Sequence, residues 1–158
     1  MQHTNVLFDG LLLASCLYAG ARGGAPERAV AALFFAGVVA THFAFSPWAA
    51  RWIGVENGVA AVDLCLLLAL LLVAAVADRF WTLWFAAFHL VGTAGHVVRA
   101  IDVGLTRWEY AFLIAIWSYP MMALLAGGTW LHRRRMARVG RDRAWTPMTP
   151  LPLQSAAA

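Results

Sequence analysis

The chain has 158 residues, of which 62% are hydrophobic and 13% charged, with a mean hydropathy of +0.69 and a net charge of +4. Soluble domains run about 45–50% apolar and about 25% charged, and a single domain of this length has too little interior to hide so much apolar surface. A soluble enzyme, a nucleic-acid binder and a disordered chain are therefore excluded, and an integral membrane protein remains.

Five apolar stretches approach or exceed the roughly 17–20 residues that a spanning helix needs. The first, about residues 6–21, carries Asp9 and follows an N-terminal segment with no arginine. A cleaved secretory signal requires a positive leading region, so the expectation is a retained helix. The Gly/Pro-containing turn RGGAPER leads to the second stretch, about 29–46. Ala32, Ala36, Ala40 and Ala44 recur there every four residues, with Gly37 and Thr41 beside them. Small residues at this spacing let helices approach closely, and an internal contact is expected.

Pro47 to Gly58 forms a longer link, where a short interfacial helix would place Trp48, Trp52 and Ile53 on one side. The third stretch, about 59–77, is a continuous aliphatic run without the period-two alternation of barrel strands. A tight turn with Asp78 as the expected N-cap leads to the fourth, about 80–101. The fifth, about 108–131, contains Pro120, which should kink it. Short links imply antiparallel neighbours. The expected fold is thus all-α, an up-and-down bundle of five transmembrane helices over residues 1–132, followed by a basic, disordered cytoplasmic tail over 133–158.

All twelve basic residues are arginine, in keeping with a GC-rich genome, and six of them fall between Arg133 and Arg143. Arginine accumulates on the cytoplasmic side of membrane proteins. With the N-terminus outside, nine arginines lie inside and three, Arg51, Arg99 and Arg107, outside. That distribution predicts a bacterial inner-membrane protein with a periplasmic N-terminus and a cytoplasmic C-terminus. Arg133, Arg134, Arg135 and Arg138 are expected to set topology and meet lipid headgroups. Membrane lipids and a partner membrane subunit are the expected partners, and nucleic acid is not.

The remaining ionisable residues gather in the outer half. Asp9, His42, Asp63, His89, His96 and Arg99 form the candidate polar cluster, with Asp63–Arg99 or Asp63–His96 as the expected pairing. A charge at the bilayer centre costs about 2.5–3.5 kcal/mol on the insertion scale, so such groups face the bundle interior and pair. The first reading is a network that fixes which helices meet. Interhelical polar contacts contribute only about 0.6 kcal/mol on average, so they specify more than they stabilise. The alternative is a redox protein in which His42 and His96, from two helices at similar depth, ligate one b-type haem, or in which the aromatic surroundings hold a quinone. No nucleophile elbow, zinc-binding helix, phosphate loop or dinucleotide fingerprint occurs, and Cys16 and Cys65 lack metal spacing. The function expected is therefore a non-catalytic accessory or scaffold subunit, with catalytic residues and metal ligands absent.

Overall fold

A computed structural model describes residues 2–102 and 104–146. Six helical segments follow one another: α1 (Gln2–Arg22), α2 (Ala25–Ala44), α3 (Asn57–Val76), α4 (Phe80–Ile101), α5 (Arg107–Ala115) and α6 (Ser118–Val139). Among the described residues the only strand-like pairing is an isolated antiparallel bridge between Ala77 and Trp145. The protein is all-helical, and three stretches are long and apolar enough to cross a membrane: Ala25–Ala44, Asn57–Val76 and Arg107–Val139.

α5 and α6 form one bent rod. Pro120 has no N–H to offer the carbonyl four residues earlier, and that carbonyl, on Ile116, instead accepts from Tyr119 N at 3.3 Å. The helix breaks at Ile116–Trp117, as the proline predicts. Thr106 and Glu109 start the rod with a reciprocal capping box, the T-x-x-E signature of a helix N-terminus. Gly140, in the left-handed region at φ 72°, ends it and turns the chain back.

The rods make a closed ring in which α1 packs on α2, α2 on α3, α3 on α4, α4 on α6 and α6 on α1, while α5 packs on α4. Every rod contributes to one core. It runs from Leu12 and Ala19 through Val30 and Phe34, Leu66 and Leu70, Trp81 and Phe85, to Met121 and Leu125. Phe34 and Phe85 meet edge to face at 5.3 Å, the arrangement that aromatic quadrupoles favour.

Four local expectations change. Ala32, Ala36 and Ala40 face outward, and the close approach of α2 to α3 is made by buried Gly37, where a Cβ would stand 2.5 Å from Leu66 Cδ2. The link is a run of turns from Pro47 to Glu56, not a helix, and Asn57 and Gly58 already belong to α3. Trp48 points away, 82% exposed, while Trp52 folds under against Phe45 and Tyr110. Arg79, not Asp78, is the N-cap of α4. The final helix continues to Val139, and residues 141–146 pack back on the bundle, so the segment expected to be disordered from 133 is ordered as far as 146. The rest of that tail, 147–158, lies outside the described residues.

Candidate functional site

Two polar clusters close the bundle, one at each end. The first lies where α3, α4 and α5 meet beneath the α2–α3 link. Its centre is His96, 6% exposed. One ring nitrogen, Nε2, lies 3.0 Å from Asp63 Oδ2 and the other, Nδ1, 2.6 Å from Tyr110 Oη. Tyr110 Oη also accepts the Glu56 backbone N–H at 3.2 Å. A carboxylate at Asp63 accepts only, so a neutral His96 donates from Nε2 and Tyr110 donates to Nδ1. The chain of bonds then runs in one direction, from Glu56 N–H through Tyr110 and His96 to Asp63. His89, nearly two turns below on α4, sets Nε2 at 3.0 Å from the Asp63 carbonyl oxygen.

Glu56, buried just before α3, ties down the link above. Its two carboxylate oxygens accept from Ser46 N at 2.9 Å and Trp52 N at 2.7 Å. Trp52 is a non-glycine residue at φ 66°, a conformation that costs on the order of 1–3 kcal/mol and persists only where its surroundings over-determine it. The carboxylate and the two aromatic contacts supply that restraint. Arg51 flanks the link, its guanidinium 4.4 Å from the Phe45 ring centroid. Arg99 donates to the carbonyl of Leu105 at 2.7 Å and to that of Ile53, joining the α2–α3 and α4–α5 links.

Burial alone would raise the Glu56 carboxyl, but the N–H groups of Trp52 and Ser46 and the Arg51 charge outweigh it and hold it below its ordinary value. A depressed folded-state pKa contributes stability that is fully present above the unfolded-state value, about 4.3, and is lost as pH falls through the lower folded value. Thermal stability in detergent should therefore fall as pH drops below about 4, and Glu56→Gln should flatten that acid limb while lowering stability at neutral pH. An unchanged acid limb in the variant would show that another carboxylate carries it.

The second cluster lies at the opposite end. Arg79, 7% exposed, stands between Glu27 at 0% and the folded-back C-terminal segment. Its Nε is 3.1 Å from Glu27 Oε1, and its terminal amine Nη2 is 2.7 Å from Asp142 Oδ2. Its Nη1 donates to the carbonyls of Asp78, at 2.8 Å, and Arg143, at 2.5 Å. Asp142 also meets His132 Nδ1 at 2.7 Å and Arg135 Nε at 3.1 Å. Backbone bonds complete the clasp, from Asp78 N to Ala144 O at 3.1 Å and from Thr146 N to Val76 O at 2.8 Å.

Of the residues expected to cluster, the structure joins Asp63, His89 and His96, and the Asp63–His96 pair forms. Arg99 serves the adjoining loops. Asp9 is exposed on α1, which packs on α2 and α6, and His42 is exposed near the end of α2. A haem shared by His42 and His96 does not fit this arrangement. Both His96 nitrogens already have protein partners, and α3 stands between the helices that carry the two histidines. No group of three His, Cys, Asp or Glu side chains suited to a metal occurs among the described residues. Arg133, Arg134 and Arg138 are exposed, while Arg135 pairs with Asp142. Glu27, Glu56, Arg79 and Asp142 complete the two clusters without having been singled out by sequence, and Tyr110, expected only among the aromatic surroundings of a quinone, joins the first as a hydrogen-bonding partner. No protein-family model, curated protein or solved structure matches this chain.

Proposed function

We propose that the chain is a small, non-catalytic protein of a bacterial inner membrane, an accessory or scaffold subunit that crosses the bilayer five times. Three stretches meet the length and hydropathy of a span. α4 follows α3 after a link of only Ala77–Arg79 and packs along it, and its 22 residues rise about 33 Å, against a hydrocarbon core of about 30 Å. α1, with 21 residues, rises about 32 Å between α2 and α6. If α2, α3 and α6 cross, α1 and α4 lie at the same depth. The excess of arginine at the Arg79 end favours that end as cytoplasmic, leaving the N-terminus periplasmic.

The observation that carries the non-catalytic reading is the closure of the His96 cluster. Both His96 nitrogens, the Tyr110 hydroxyl and both Glu56 oxygens are engaged by the protein itself. The open hollow beside α5, lined by Asp102, Leu105, Glu109 and Phe112 among others, touches none of these groups. A catalytic acid, base or ligand needs a free face toward its substrate.

Sidedness tests the topology. In a chain with Cys16 and Cys65 replaced by serine, Gly104→Cys should react with a membrane-impermeant maleimide from the periplasm, and Asp78→Cys should not. Three spans would leave both positions on one side, and equal labelling would overturn the five-span reading. The non-catalytic reading has a separate test in the reduced-minus-oxidised spectrum of native membranes. A haem band that vanishes in His42→Ala or His96→Ala would overturn it, and a flat spectrum after haem-supplemented expression is expected.

A further inference from the structure

α4 and α6 do not close on each other along their whole length. A groove of about 380 Å³ opens between them on the outside of the bundle, lined by Trp81 and Phe88 from α4 and by Pro120, Ala123, Gly127 and Leu131 from α6. At one point the helices nearly touch, because a Cβ on Gly128 would stand 2.6 Å from the Trp81 ring. Gly127 beside it faces open space, with nothing within 4 Å of where its Cβ would be. The Trp81 indole N–H is buried at that contact with Gly128 and has no hydrogen-bond partner, although buried indoles ordinarily find one.

The groove has the length of half a bilayer. From Leu131, near the Arg79 end, α6 rises about 16 Å to Pro120, against about 15 Å for one leaflet of hydrocarbon. It stops at mid-depth, where the Phe88 ring stacks on Trp117 with centroids 5.9 Å apart. A partner helix would pack along the full span, whereas an acyl chain ends at the midplane. The face of α6 that lines the groove continues past Leu131, at helical spacing, to Arg134, Arg135 and Arg138. Arg135 is occupied by Asp142. Arg134 lies over the Trp130 ring at 4.4 Å, and both it and Arg138 are exposed.

We propose that this groove is a binding site for one anionic phospholipid of the leaflet at the Arg79 end. An acyl chain fills the space between α4 and α6, the phosphate meets Arg134 and Arg138, and the ester region lies at the depth of Trp81. The site rests on the reading that α4 and α6 cross the membrane. A failure of that reading appears in the sidedness of residues 78 and 104, independently of any lipid measurement.

Native mass spectrometry of the purified full chain with added dioleoyl phosphatidylglycerol or dioleoyl phosphatidylcholine tests the site. The wild type should retain one phosphatidylglycerol, about tenfold in preference to phosphatidylcholine, given two arginines near the phosphate. Gly127→Leu places its Cβ in open space, puts the rest of the side chain into the groove and should abolish the retained lipid. Ala123→Leu, a second filler, should do the same, and Arg134→Gln with Arg138→Gln should remove the preference while leaving thermal stability unchanged. Equal retention of the two lipids by the wild type would overturn the proposal, as would retention of phosphatidylglycerol by both fillers. A wild-type dimer that Gly127→Leu converts to monomer would also overturn it, assigning the face to a second copy of the chain.

Discussion

Replacing Arg79 by alanine should detach the C-terminal segment and lower stability by about 3–5 kcal/mol, the cost of removing one partner from a buried ion pair. At this chain length that corresponds to a drop in Tm on the order of 10 °C. The size follows from what is left behind. Glu27 is fully buried, and one of its oxygens, Oε2, already lacks a hydrogen-bond partner. Without Arg79 the other oxygen loses its partner too, and the Arg143 carbonyl loses its donor. Asp142 keeps His132 and Arg135, but nothing then joins it to α2. Glu27→Gln should cost less, because it leaves Arg79 bonded to Asp142 and to two carbonyls. Limited trypsin digestion reads the clasp directly. The bond after Arg143 should be cut slowly in the wild type, where backbone pairing holds the segment against Val76 and Asp78, and rapidly in Arg79→Ala. A variant with wild-type melting and wild-type cleavage would show that the clasp contributes nothing to holding the segment.

That clasp was not legible in the sequence, for a physical reason. Arg79 and Asp142 are 63 positions apart, and neither belongs to a periodic apolar run that would report which way it faces. Juxtamembrane arginines are ordinarily solvated topology signals. A lone Asp142 among Arg141 and Arg143 reads as more of the same charged tail. The one local sign was Gly140, which stops α6 in a left-handed conformation and reverses the chain toward the bundle. Glu27, two residues into α2, was hidden in the same way by its place in the Gly/Pro turn.

The helices themselves were legible because each apolar run is long and bounded by glycine, proline or charge, and Pro120 marked the bend. Depth was legible as well, since counting residues from each boundary placed Asp63 level with His96, and the two meet. Azimuth was not. Asp9 and His42 share roughly that depth, but lie on faces of α1 and α2 turned away from it. In a sequence this apolar the outward and inward faces differ little in hydrophobicity, so periodicity cannot orient a helix about its axis. Gly37 and the alanines of α2 show the same loss. Both look like a packing stripe, yet Ala32, Ala36 and Ala40 face outward, while Gly37, one position round the helix, and Ala44 at its end meet α3.

His96 is the residue whose removal should most damage the other end. His96→Leu leaves Asp63 Oδ2 without its donor and the Tyr110 hydroxyl without its acceptor, in a region where His96 is 6% and Tyr110 0% exposed. Each buried group left unpaired costs about 1–3 kcal/mol, so a loss of about 2–5 kcal/mol is expected in thermal or denaturant unfolding. Tyr110→Phe should cost about as much, since it removes the donor to His96 and the acceptor for the Glu56 N–H. The two losses should not add. Once Tyr110 is phenylalanine, His96 Nδ1 already lacks its partner, and removing His96 then costs less than it does in the wild type. Residues in one hydrogen-bonded network couple by about 0.5–3 kcal/mol, and the double variant His96→Leu with Tyr110→Phe should be more stable than the sum of the singles by an amount in that range. Additive losses would mean that the residues pack side by side without acting as one network, and the closure on which the non-catalytic reading stands would be gone. Asp63→Asn supplies the complementary arm. It keeps the shape and an oxygen acceptor for His96 Nε2, so it should cost less than His96→Leu if the bond matters as a positioning contact. If the asparagine proved as damaging as the leucine, the negative charge at Asp63 rather than the geometry of the chain Glu56–Tyr110–His96–Asp63 would be what the bundle requires.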